Sequence, residues 1–134
     1  MNMVLGGYTL DKNATRTQLS PVTNPDEGTL LGYVSTFLDA NGVLVMREDP
    51  EPEAGRVDLT LYAENGCYLL LLSESTEDGG VNVRALVDEN KPQGFVSFFG
   101  ESFPEKATTS NLNIVRDAFG QFLKNRSVSI DLMN

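Results

Sequence analysis

Hydrophobic and polar residues alternate through the middle of the chain in the manner of β-strands. In residues 56–64 every second residue is apolar, and residues 67–72 are almost continuously apolar, as expected for a central strand with both faces covered. Asn65-Gly66 separates the two segments and is a strong signal for a two-residue type I′ turn. The pattern therefore predicts a β-hairpin over residues 56–74, with Leu69 and Leu71 facing a helix-covered layer.

Shorter apolar segments predict further strands on either side of this hairpin. They lie at residues 3–8, 43–48, 81–87 and 93–99, and groups of Asp, Asn, Gly and Pro separate them. Residues 11–23 are polar without a clear period and are interpreted as a loop or a single helical turn. Residues 127–132 are predicted to add an edge strand.

Two segments have the spacing of amphipathic helices. The first has Asn24 as its predicted cap and Pro25 at the first helical position, and Asn41-Gly42 ends it. The second has Ser110 as its predicted cap and ends at Asn125. Their apolar stripes recur at helical spacing. These stripes are Leu30, Leu31, Val34, Phe37 and Leu38 in the first helix, and Leu112, Val115, Phe119, Phe122 and Leu123 in the second.

The order of these elements predicts an α+β fold. We expect a twisted antiparallel sheet of about five strands in a meander, with two helices packed on it, in a single globular domain over residues 1–134. No apolar stretch is long enough to span a bilayer, and the N-terminus lacks the features of a secretory signal. The single cysteine excludes an intramolecular disulfide, which favours a cytoplasmic location.

Negative charge is concentrated in the central third of the chain. The formal net charge is −9, and 12 of the 19 acidic residues lie between Asp39 and Glu89, together with only three of the 10 basic ones. Such a field repels phosphate backbones and anionic lipid, and it attracts basic partners. Binding to nucleic acid or to a membrane is therefore disfavoured, although a role of the charge in solubility alone is an open alternative.

Few residues are available for enzyme chemistry. The chain has no histidine, which removes the usual general base and the commonest transition-metal ligand. Cys67 has no second cysteine to pair with and is interpreted as a buried, inert thiol. We therefore predict no enzymatic activity, no cofactor and no metal site.

Two groups of carboxylates are the remaining catalytic candidates. One comprises Asp49, Glu51 and Glu53, and the other comprises Glu74, Glu77 and Asp78. Paired acids at such positions can serve acid–base chemistry on sugars or bind calcium. Both groups lie on turn-rich segments, whereas a catalytic acid needs a pocket that raises its pKa, so solvated turn charges are the favoured interpretation.

The second half of the chain, residues 56–128, resembles the small immunity proteins of bacterial polymorphic-toxin and contact-dependent growth inhibition systems. The resemblance is in the order of segments: a strand at residues 57–61, a hydrophobic strand at residues 66–72, and an acidic glycine turn. The aromatic segment of residues 94–100 and the helix of residues 115–123 follow. Residues 125–128 and the absence of tryptophan depart from the usual ending of that group.

This resemblance implies a cytoplasmic protein that neutralises a cognate toxin by covering its active site. The acidic centre points to a basic, nuclease-type toxin domain as the partner, and we expect a monomer or a weak homodimer. A structural or adaptor subunit is the alternative, and a carboxylate-based enzyme is a more distant one. The predicted toxin interface consists of the turn acids and one aromatic anchor on an outward strand face, namely Asp49, Glu51, Glu53, Tyr62, Glu74, Glu77 and Asp78.

Overall fold

A computed structural model describes residues 2–50 and 55–134 of the chain. Its two helices are α1, Glu27–Ser35, which a 3₁₀ turn at Thr36–Leu38 extends, and α2, Leu112–Asn125. A second 3₁₀ turn occupies Glu105–Ala107. The strands are β1 Asn2–Leu10, β2 Arg16–Thr23, β3 Asn41–Asp49, β4 Val57–Glu64, β5 Cys67–Ser75, β6 Val81–Ala85, β7 Phe95–Phe98, β8 Glu101–Pro104 and β9 Thr108–Thr109. The predicted α+β class with two helices is confirmed, with more strands than the five expected.

The main sheet is antiparallel and has the strand order β2-β1-β3-β4-β5-β6, with β9 paired to the start of β5. Strands β3 to β6 form four strands of the predicted meander, whereas β1 lies beside β3 because the chain returns through α1. Strand β2 occupies the segment interpreted as a loop, and that interpretation was wrong. As an edge strand whose residues are mostly exposed, β2 needs no alternating apolar residues, so the sequence carried no strand pattern there.

The predicted hairpin at the centre of the sheet is confirmed. Asn65 and Gly66 both have positive φ angles, 54° and 76°, as a type I′ turn requires, and Glu64 pairs with Cys67 across it. In β4, Leu59, Leu61 and Ala63 are buried on one face, as the alternation predicted. The local sequence therefore specifies both the turn and the register of this pair.

Both helices cover the same face of the sheet. From β5 this face receives Tyr68, Leu70 and Leu72, so the expectation that Leu69 and Leu71 face the helices was wrong by one residue. In a continuously apolar strand the period-2 signal is lost, and the sequence does not say which alternate set meets the helices. The predicted apolar stripe of α2 is buried in this core, and the hydroxyl of Tyr68 donates a hydrogen bond to the carbonyl oxygen of Phe37 at 3.0 Å.

The helix caps lie close to the predicted positions but not at them. Helix α1 is capped by Asp26, whose carboxylate accepts a hydrogen bond from the Thr29 N–H at 2.7 Å. The predicted cap, Asn24, has a φ of 51° and instead accepts a hydrogen bond from the Met3 N–H at 2.9 Å, which ties β1 to the start of the helix. Asn111, next to the predicted Ser110, caps α2.

The opposite face of the sheet is partly covered by the β7–β8 hairpin. The predicted strand over residues 93–99 exists as β7, but it pairs only with β8 and forms a separate two-stranded sheet. Phe98 is buried there, with its ring centroid 6.1 Å from that of Phe103. Residues 127–132 do not form the predicted edge strand, and Val128 and Met133 are instead buried in the core.

Gly7 lies where β1 and β3 approach each other too closely for a side chain. A Cβ atom on Gly7 would overlap the carbonyl oxygen of Val43, and the φ of Gly7 is 156°. We expect Gly7→Ala to lower the free energy of unfolding by about 1–3 kcal/mol, because the strands must shift and the backbone is strained. Gly6→Ala is the matched control, since no atom lies within 4 Å of its Cβ position. Equal losses in urea unfolding would contradict the close approach.

Among residues 2–50 and 55–134, no helix is long and apolar enough to cross a membrane.

Candidate functional site

Asp49 and the acidic turn after β5 lie at the same end of the sheet. Asp49 ends β3, and the turn that carries Glu77 and Asp78 follows β5. Antiparallel pairing brings these ends together: Val57 pairs with Glu74, and the Ser75 N–H donates to the carbonyl oxygen of Arg56 at 2.8 Å. Glu51 and Glu53 lie outside the described residues. The structure thus places Asp49, Glu74, Glu77 and Asp78 at one end, which we call the acidic end.

Glu74 has a structural contact at this end. Its carboxylate forms an ion pair with the Arg84 guanidinium at 3.6 Å, across the β5–β6 pair. Arg84 also donates to the carbonyl oxygens of Val128 and Met133, both at 2.7 Å, and so holds the C-terminal segment. Glu74 helps to position this arginine, and it is less available to a partner than the sequence suggested.

Asp78 organises the turn between β5 and β6. Its carboxylate accepts hydrogen bonds from the Thr76 hydroxyl and from the Gly80 N–H, the latter at 3.0 Å. The Thr76 hydroxyl and, after it, the Gly80 N–H hold the pKa of Asp78 below its usual value, so this carboxylate is ionised at neutral pH. Glu77 lies beside it and is exposed. The tip of the hairpin therefore presents two negative charges in a fixed turn.

Tyr62 does not lie at the acidic end, and its ring is half-buried. It lies on the face away from the helices, as the alternation predicted, but Phe103 and Phe99 pack against it with centroids 6.4 Å away in each case. Burial, followed by the nearby Glu101, raises the pKa of its hydroxyl. Tyr62 pairs with Leu69, five residues from Glu74 along β5, so about 17 Å separates it from Glu74, and Glu77 and Asp78 lie farther away still.

The acidic central third does not form one surface. Asp39 precedes β3 and Glu64 ends β4, which places both at the end of the sheet opposite the turn acids. Glu89 forms an ion pair with Lys106 at 3.0 Å. Acidic residues that are close in sequence are therefore far apart in the structure, because successive strands place them at opposite ends of the sheet.

Two valines of β6 form an apolar surface that the sequence analysis did not identify as exposed. Val81 and Val83 are 60% and 54% exposed, and they begin immediately after the acidic turn. Val87, beyond the strand, is 51% exposed. Their alternation resembled that of a buried face, and the predicted strand at residues 93–99 would have followed β6 in the meander, so no sequence signal marked these valines as exposed. We call Glu77, Asp78, Val81 and Val83 the hairpin surface.

A shallow hollow of about 310 Å³ lies elsewhere on the face away from the helices. Val4, Gly6, Val45 and Arg47 are among the residues that line it. At its border, the guanidinium of Arg16 lies 3.6 Å from the centre of the Tyr8 ring, a cation–π contact. In the described part of the chain, no three acidic or cysteine side chains are grouped closely enough to hold a metal ion.

Comparisons with known proteins agree with this fold. None of the curated proteins matches the chain. A solved structure, described as the crystal structure of a hypothetical protein from Neisseria gonorrhoeae, is similar with a TM-score of 0.84 and 31% sequence identity. The similarity covers 96% of this chain and 90% of that one. A family model, described as a family of unknown function (DUF6911), matches residues 2–132. The chain therefore belongs to the DUF6911 family.

Proposed function

We propose that this protein binds a basic protein domain through the hairpin surface and inhibits it, in the manner of a toxin-immunity protein. The observation that carries the proposal is the position of Val81 and Val83, more than half exposed and directly beside the charges of Glu77 and Asp78. The toxin as target, and the cytoplasm as the place where it is met, rest on the resemblance of residues 56–128 to immunity proteins.

The arrangement suits a protein partner on physical grounds. Protein interfaces combine apolar residues, which lose water on binding, with a polar rim that adds specificity. Charged groups at the rim steer a partner of opposite charge and raise the association rate more than the affinity. With a net charge of −9, the protein favours encounter with a basic domain. Val81 and Val83 would supply the apolar surface that becomes buried on binding, because Tyr62 already packs against the β7–β8 hairpin.

Neutralising the acidic end should slow binding. We expect the double variant Asp49→Asn/Glu77→Gln to reduce the association rate about 3–10-fold at low salt, and the difference should shrink as salt is added. The rate is measured against the polypeptide encoded by the gene next to this one, as the candidate toxin. Both substitutions spare Asp78, which the turn itself requires.

A matched control removes the same charge from the helix-covered side. Glu27 and Asp117 are exposed on α1 and α2, and both line the groove between those helices. Glu27→Gln/Asp117→Asn should leave the association rate nearly unchanged. An equal reduction by both double variants would mean that only overall charge matters.

Co-expression with the candidate toxin separates the remaining functions. If the two proteins form a complex but this protein does not restore the growth of cells that make the toxin, the adaptor alternative is favoured. If no complex forms, the immunity function with this candidate is ruled out.

A further inference from the structure

Strand β6 has a backbone edge that points away from the sheet. The Ser75 N–H donates to Arg56 on the β4 side, so the pair Ser75–Val81 is not hydrogen-bonded and the backbone groups of Val81 point outward. The same direction recurs at every second residue, at Val83 and at Ala85. The outward direction is seen directly at Ala85, whose carbonyl oxygen accepts a hydrogen bond from the Asn134 N–H at 3.0 Å. Among residues 2–50 and 55–134, the C-terminal segment thus covers Ala85 and leaves the edge at Val81 and Val83 uncovered.

The two edges of the main sheet differ in how they are protected. At the other edge, β2 carries Pro21 and Arg16 among mostly exposed polar residues, and proline and charge discourage pairing with another strand. Strand β6 has no proline, and the side chain of its one charged residue, Arg84, is bound to Glu74 and the C-terminal segment. Beyond Ala85, its outward-pointing backbone groups belong to the two residues with exposed apolar side chains, Val81 and Val83. An edge of this kind is suited to accept an additional strand.

The surrounding charges indicate which strand would pair there. Asp78 precedes β6 and Asp88 follows it. In an antiparallel pair of two β6 strands centred on Val83, the end of one strand near Asp78 would meet the end of the other near Asp88, so like charges would approach each other at both ends of the symmetric pair. A second copy of this chain is therefore a poor occupant. An extended segment with apolar side chains and a lysine or arginine at each end is complementary.

We propose that β6 pairs with such an extended, basic-flanked segment of the partner protein, which adds one strand to the sheet next to Val81 and Val83. The identity of the partner rests on the proposed function, whereas the mode of pairing rests on the edge itself. Main-chain hydrogen bonds from Val81 and Val83 would provide the register, and the valine side chains would contact alternate residues of the added strand.

The test uses the full chain, isotope-labelled for NMR, with a short synthetic peptide of alternating valine and threonine and a lysine at each end. We expect the lysine-flanked peptide to shift the amide signals of Val81 and Val83 and to slow their hydrogen exchange. The same peptide with glutamate at each end should bind about tenfold more weakly, or not measurably. Shifts confined to another surface, or equal binding of the two peptides, would overturn the proposal without any variant being made.

Two substitutions at Val83 separate backbone pairing from side-chain contact. Val83→Pro removes an outward N–H that the β5–β6 pair does not use, so the fold is retained while the added strand loses a hydrogen bond. We expect about a tenfold loss of peptide affinity for Val83→Pro and a smaller loss for Val83→Ala, which keeps the N–H. Equal losses would exclude backbone pairing.

Two further outcomes separate this proposal from the proposed function. Concentration-dependent changes at Val81 and Val83 without peptide would show that a second copy occupies the edge, and the proposal would be wrong. If Val83→Pro leaves binding of the neighbouring gene product unchanged while Asp49→Asn/Glu77→Gln slows it, the proposed function stands and strand pairing fails. If the peptide pairs with β6 but the neighbouring gene product does not bind, strand pairing stands and the proposed function fails.

Discussion

Leu70→Ala should lower the free energy of unfolding by about 2–5 kcal/mol, the range for a fully buried leucine whose removal leaves a cavity. Leu70 is fully buried on the helix-covered face of β5, the central strand that pairs with both β4 and β6. The core that contains it is built from the sheet and from both helices, and because protein cores are close-packed the space left by the side chain stays largely unfilled. The loss is measured by urea unfolding.

Leu71→Ala is the matched control for this substitution. Leu71 is the same residue type in the same strand, but it is half-buried on the opposite face, between Thr60 and Ala85 in the cross-strand register. We expect a loss of about 1 kcal/mol, because less apolar area leaves water on folding and solvent can occupy the space. If Leu71→Ala costs as much as Leu70→Ala, the assignment of the two faces of β5 is wrong.

Arg126→Ala should lower the free energy of unfolding by about 3 kcal/mol, because it leaves a buried carboxylate without its countercharge. Glu48 is only 3% exposed, near the end of β3, and the Arg126 guanidinium forms an ion pair with its Oε1. Within the described residues, the Oε2 atom of Glu48 accepts no hydrogen bond. Arg126 follows α2 in a left-handed conformation, with φ of 56°, and so joins the end of the helix to the sheet.

A double-mutant cycle separates the ion pair from other effects at this position. Glu48→Gln removes the charge that Arg126 neutralises, so the double variant Glu48→Gln/Arg126→Ala should be more stable than Arg126→Ala alone. Lys124→Ala is the control for loss of a cation at the same helix end, and we expect it to cost less than about 0.5 kcal/mol. Additive losses in the cycle would mean that the two side chains are not coupled.

The sequence by itself determined the elements that depend on neighbouring residues. Asn65-Gly66 specified its turn because few residues tolerate two positive φ angles in succession, and the alternation of β4 specified its buried face. The spacing of α2 specified its buried stripe, and Asn125 was recognised as its last residue. The acidic turn between β5 and β6 was also located correctly, since turn chemistry is local.

Tertiary structure decided whatever depends on pairing between distant segments. Strand β2 exists because β1 accepts it as a partner, and its own residues carry no strand pattern. Packing of β7 and β8 against Tyr62 made the predicted anchor half-buried, and the strand order put Val81 and Val83 at an edge of the sheet. The same order separated acids that are close in sequence. A residue's exposure depends on which distant segments cover it, and no pattern within its own segment contains that information.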